Sequence, residues 1–127
     1  MDTPLHRMDP ATRNRWTQAL RSGDYRRSNG VMRQDIDGEP CFCVFGVLLE
    51  TMQTGAWDCN DDETRVAGRE VVTYTHVMED GTLSRGAPPE SVRQRWRIPD
   101  LAISRLTSMN DVGATFKQMA RWIEVHL

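Results

Sequence analysis

Lysine is almost missing from this sequence. Lys117 is the single one, so fifteen of the sixteen basic residues are arginine. A basic surface built this way favours planar, bidentate contacts to carboxylate or phosphate over diffuse point-charge attraction. Long apolar runs are missing as well: no window approaches the ~18 to 20 consecutive apolar residues of a membrane span. The opening MDTPLHRMDP also lacks the basic-then-apolar order of a secretory signal. These absences predict a soluble protein that stays in the cytoplasm where it is made and has no membrane contact. Cysteine is scarce and odd in number, three in 127 residues, and two of the three sit in an apolar run. That argues against a disulfide framework and fits a reducing compartment. With no internal repeat and a length suited to one core, residues 1–127 are expected to form a single domain.

What is present is a lopsided layout of charge beneath a net −2. Residues 1–33 hold seven Arg against three Asp, residues 34–63 hold eight acids and no base, and residues 64–105 hold seven Arg against five acids. The acidic middle would repel phosphate and attract an Arg-rich partner.

Local signals predict the elements. Asp9 as N-cap with Pro10 at the first helical position opens a helix that stops at Ser22-Gly23, with Trp16, Ala19 and Leu20 on its buried side. Asp24 through Gly30 reads as a basic turn ending in Asn29-Gly30, and Val31–Ile36 as a short strand closed by Asp37-Gly38. After Pro40, CFCVFGVLLE is apolar almost all round, with Phe42, Phe45, Leu49 and Met52 at helical spacing. It predicts a central buried helix ended by Gly55, with Gly46 admitting a close neighbour; a strand is the competing reading. Residues 58–63 (DCNDDE) read as a solvated loop, and Glu70–Val77 as the best strand, turned by Asp80-Gly81 into a hairpin with residues 82–84. Helices are expected over 88–96 and roughly 101–109. The capping box Thr115-Phe-Lys-Gln118 opens a last helix with Phe116, Met119, Ala120 and Ile123 as its stripe. The class is α+β: helix-dominated, with a central buried helix and a small antiparallel sheet or hairpin. The predicted core is Trp16, Leu20, Phe42, Phe45, Leu48, Phe116, Met119 and Ile123.

Four constellations bear on chemistry. Cys41, Cys43, Cys59 and His76 invite zinc, but Cys-x-Cys within a helix points its sulfurs about 200° apart, so packing is the better account of the thiols. A cysteine nucleophile would place Cys41 or Cys43 in the first turn of a helix with His76 as base and Asp111 or Asn110 as orienter. The Gly or Gln that precedes such cysteines in thiol hydrolases is missing. Asp58, Asn60 and Asp62 match positions 1, 3 and 5 of a calcium loop, but Glu63 and Arg69 break positions 6 and 12. No metal or other cofactor is expected. Finally, Tyr25, Arg26 and Arg27 with Arg21 and Arg33 form one basic cluster, and Arg93, Arg95 and Arg97 with Trp96 another, where phosphates would be held while a base stacks.

Three blocks resemble a family of short proteins encoded by tailed bacteriophages and prophages. Residues 16–25 (WTQALRSGDY) are similar to that family's W-x-x-A-L-x-S-G-x-Y. Residues 43–48 (CVFGVL) resemble C-C-L-G-V-L, and residues 106–124 resemble L-x-x-x-N-D-x-G-x-x-F-x-x-I-A-x-x-I-E. Val44 stands where the family pattern has its second cysteine, a departure that a metal-binding or catalytic pair would not survive and packing would. In this alignment Asn110 becomes a helix C-cap and Gly113 supplies positive φ. The resemblance implies a small accessory protein in an infected bacterial cell that binds a host protein, including a defence component, or sequesters a nucleotide or other signalling molecule. A cysteine-dependent hydrolase is the third reading. The contact residues expected are Tyr25, Arg26, Arg27, the acids Asp58, Asp61, Asp62 and Glu63, and Arg93, Arg95 and Trp96.

Overall fold

In the computed structural model, residues 7–28 and 30–127 are described, residues 60–66 by their backbone alone. Asn29, the opening MDTPLH and the side chains of Asp61, Asp62 and Glu63 therefore lie outside the description. The described residues form five helices and six strands, an α+β fold as the sequence predicts. Helix α1 (Pro10–Arg21) starts where Asp9 accepts from the Thr12 N–H at 3.1 Å, and α5 (Phe116–His126) starts with the Thr115/Gln118 capping box fully formed. Every predicted core residue is buried.

The sheet is larger than expected and mixed. Its order is β1 (Arg26–Arg27), β3 (Glu39–Phe42), β2 (Arg33–Ile36), β5 (Arg69–Val77), β4 (Ala56–Val66), with β6 (Leu83–Ser84) pairing β5 across the Asp80-Gly81 turn. Only the β1/β3 pair is parallel. Asp37 and Gly38 both take positive φ, 51° and 81°, as a two-residue type I′ hairpin needs, and this fixes Ile36 opposite Glu39.

That hairpin divides the apolar decamer in two. The predicted central helix does not begin at Cys41: residues 39–42 pair as β3, Cys43 is an extended N-cap, and α2 runs Val44–Met52. The register set at Asp37-Gly38 outweighs helical periodicity, which cannot type a short apolar run. Gly46 meets its expected close neighbour, since a Cβ there would stand 1.9 Å from the Met32 carbonyl oxygen. Helix α1 packs on α2 and α5, and α2 also on α4 (Asp100–Asp111).

The acidic stretch 58–63 is not a loop either. It belongs to β4, at the sheet edge opposite β1, where Cys59 pairs Tyr74 and Glu63 pairs Val72, leaving residues 60–62 opposite Thr73 alone. β5 is a strong strand former and the tight Ala67-Gly68 turn holds the partner in register. The β-averse Asn-Asp-Asp is displaced into this bulge, a device that also blunts an edge.

Candidate functional site

Two short connections and one helix end converge beside β1. Strand β3 feeds α2 so that Cys43, Val44 and Phe45 present the first turn of α2. The β1–β2 connection brings Ser28 and Gly30, and the end of α4 brings Thr107, Asn110 and Asp111. Helix α4 runs two residues past its expected end. It closes through a Schellman motif in which Gly113 N–H donates to Asn110 O and Ala114 N–H to Met109 O, with Gly113 at φ 87°. Asn110 is therefore not the C-cap, which is Val112. It lies in the last turn, on the stripe of Ala102 and Leu106, and is 7% exposed.

The polar atoms here are not fully paired. Arg27 reaches across to donate from Nη2 to the Asn110 carbonyl oxygen at 2.5 Å, while its buried Nε and the buried Asn110 Oδ1 each lack a partner among the described residues. Both residues line a groove of about 590 Å3 with Ser28, Gly30, Asp111 and Gly113. Gly30, Asn110 and Asp111 also line an inner pocket of about 30 Å3 against Cys43, room for one small polar group. Orphaned buried donors and acceptors are uncommon in folded proteins. An unpaired donor and an unpaired acceptor within residues that line one groove are the complement of a ligand group carrying an acceptor and a donor side by side.

The thiols and histidine do not assemble into a catalytic unit. Cys43 shares the inner pocket with Asp111, but burial pushes its thiol up to about 11, away from the thiolate a nucleophile needs. Burial also raises Cys41, which sits on β3 opposite Gln34. His76 lies at the other end of α2, where Nε2 is 2.6 Å from the Thr54 carbonyl oxygen and the ring meets Trp57 edge-on at 5.0 Å. The length of α2, roughly 13 Å at ~1.5 Å per residue, separates it from Cys43. Cys41 and His76 project from opposite faces of the sheet, because Cys41, Gln34 and Thr73 form one row and His76 is three residues further on. Among the described residues no group of three or more His, Cys, Asp or Glu is placed to hold a metal.

The other expected contact residues divide. Arg26 is exposed at 71% of its side chain and pairs with Glu39 at 2.7 Å. With Arg27, Arg69, Cys41 and Asp37 they border a second groove of about 330 Å3 on the other side of β1. Tyr25 sets its ring edge on Phe42 at 5.5 Å and its hydroxyl 3.5 Å from Thr51 Oγ1, so it is half committed to packing. Asp58 is exposed on β4, at the far edge. Trp96, at the end of α3 (Glu90–Trp96), is a correction: it is 7% exposed in the core, so its ring offers no face for a base. Arg93 pairs with Asp100 at 3.0 Å, and Arg95 stands exposed. Arg33 is a further cation absorbed by the fold, with its guanidinium 4.2 Å from the Tyr74 ring centroid and near Phe42 and Trp57. The Tyr74 hydroxyl donates to Asp35 at 2.8 Å.

A family model described as a domain of unknown function (DUF8296) matches residues 8–127. The chain belongs to that family. No curated protein and no solved structure matches it. The match spans every element described, so the groove beside β1 lies wholly inside the family's domain. No helix among the described residues is long and apolar enough to cross a membrane.

Proposed function

We propose that this protein acts by binding, without catalysis, and that it engages a macromolecular partner through Arg26, Arg27 and the Asn110 groove beside them. The observation that carries this reading is that Arg27 and Asn110, each holding a buried polar atom without a partner among the described residues, line one groove next to the exposed Arg26. The suppressed thiols and the distant histidine weigh against the hydrolase, and the buried Trp96 ring weighs against a stacked nucleotide. The resemblance to phage and prophage proteins supplies the setting: an accessory protein in the cytoplasm of a bacterial host, acting on a host macromolecule such as a defence component.

The test is an affinity capture of tagged protein from bacterial lysate, read by quantitative mass spectrometry, with the double variant Arg26→Glu/Arg27→Glu as control and its unfolding midpoint checked. The expected result is a host protein enriched by the native chain and lost with the variant. Thermal stabilisation by a panel of linear and cyclic nucleotides, with no captured protein, would transfer the function to a small ligand.

A further inference from the structure

Strand β1 is two residues long, lies at the end of the sheet, and pairs β3 in parallel, with Arg27 opposite Phe42. Ser28 N–H donates to the Phe42 carbonyl oxygen at 2.9 Å. Successive amides of a strand point to opposite sides, so the Arg27 N–H and C=O face away from β3, toward the open edge. The two grooves lie on either side of that edge and Arg27 borders both. An extended chain laid along β1 would meet Arg27 with its main chain and send alternate side chains into the two grooves.

The chemistry of each groove says what those side chains are. Arg27 and Asn110 line the Asn110 groove, and each holds a buried polar atom without a partner among the described residues, a donor at Arg27 Nε and an acceptor at Asn110 Oδ1. Together they are the complement of a carboxamide, whose oxygen accepts and whose NH2 donates. A carboxylate would satisfy Arg27 but would set a second acceptor against Asn110 Oδ1 and a second negative charge beside Asp111. In the groove on the other face, Arg26, Arg27 and Arg69 outnumber the carboxylates of Asp37 and Glu39 beside Cys41 and Ile36, so an acidic side chain with an aliphatic stem fits there, displacing Glu39 from Arg26. An exposed pair of that kind costs little to exchange. Among the described residues no aromatic ring lines either groove, and Phe45 at the inner pocket is buried, so stacked bases have no platform.

Resting on the binding reading above, we infer that β1 is extended by strand addition: an extended segment of the protein partner pairs with Arg27. It places an Asn or Gln side chain against Arg27 and Asn110, reaching Nε and Oδ1 as these side chains turn toward the groove, and its acidic neighbours against Arg26 and Arg69. Main-chain pairing gives affinity in this mode and the alternate pockets give selectivity.

The experiment is fluorescence anisotropy with a labelled, β-branched peptide whose central glutamine is flanked by two glutamates. Three comparison peptides accompany it: one N-methylated at the amides that would pair, one with leucine for glutamine, and one with the glutamates amidated. Saturable binding is expected, weakened at least tenfold by N-methylation, by the leucine exchange and by Asn110→Leu in the protein. Equal binding of the N-methylated peptide overturns strand addition, and equal binding of the leucine peptide overturns the role of the Asn110 groove. These two arms stand even if Asn110→Leu does not fold. No binding, or displacement by a single-stranded oligonucleotide as effective as by peptide, overturns the inference as a whole. If the captured host protein still binds under those outcomes, the broader binding reading survives; if nothing is captured, both fall.

Discussion

The two ends of α2 teach opposite lessons about buried polar groups. At its C-terminal end, His76 is fully enclosed: Nε2 meets the Thr54 carbonyl, the ring meets Trp57, and Gly55 lies so close that a Cβ there would come within 2.7 Å of the imidazole. Nδ1 is left unpaired among the described residues, and neither groove beside β1 is lined by His76. At its N-terminal end, Arg27 Nε and Asn110 Oδ1 are as buried and, among the described residues, as partnerless, but they belong to residues that line an open groove. The first arrangement is an enclosed polar core residue, and the second lies in the wall of a groove. A histidine attracts functional interest by its type, yet here it is enclosed by the fold, and it is the asparagine that lines the groove.

At the N-terminal end one backbone contact is especially close, and breaking it should give the largest effect. The Met32 carbonyl oxygen accepts the Cys43 N–H at 3.1 Å and lies where a Cβ on Gly46 would collide with it at 1.9 Å. Both partners are main chain or helix, so neither yields cheaply. Gly46→Ala is expected to lose more than about 3 kcal/mol of stability in urea unfolding, by overpacking against rigid neighbours. If its midpoint matches the native protein, the apposition of α2 and the β1–β2 connection that builds the groove is wrong.

A smaller effect comes from the thiol at the same end. Burial raises Cys43 from 9.0 to about 11 in the folded chain. Between those values the unfolded chain has released a proton that the folded chain keeps, so stability falls as pH rises through this window. It is fully present below pH 9. The size is on the order of 2–3 kcal/mol, from ~1.4 kcal/mol per pKa unit. Cys43→Ala should flatten that part of the alkaline stability profile, and a variant as steep as the native protein would place the thiol in water. Alkylation of the folded protein gives an independent reading, since exposed Cys59 should react before buried Cys41 and Cys43.

How much of this was readable beforehand follows from the same contrast. The capped helices, the Asp37-Gly38 hairpin and strand β5 were legible because each is signalled within a few residues: Asp9-Pro10, Thr115 to Gln118, and β-branched residues between turns. The start of α2 and the fate of residues 58–63 were not, because partners distant in sequence decide them. Pairing with β2 makes residues 39–42 a strand, and pairing with β5 carries the acids into an edge. Arg26 and Arg27 were legible as a basic cluster, whereas the groove needs α4 brought beside them. One signal for it was present: Asn110 stands four residues after Leu106 and eight after Ala102, on the stripe that α4 buries, where a polar residue calls for a partner.

The smallest effect would sharpen the contrast from the closed end. His76→Gln puts an amide N–H near the position of Nε2, so donation to the Thr54 carbonyl is kept, while the amide oxygen replaces Nδ1 as the unpaired buried acceptor. What is lost is the ring edge against Trp57, worth about 1 kcal/mol. Affinity for the glutamine peptide should be unchanged, because roughly 13 Å of helix lies between this residue and the groove. A fall in affinity with no larger loss of stability would mean that the two ends of α2 communicate. His76 would then have to be counted as a residue that positions the site.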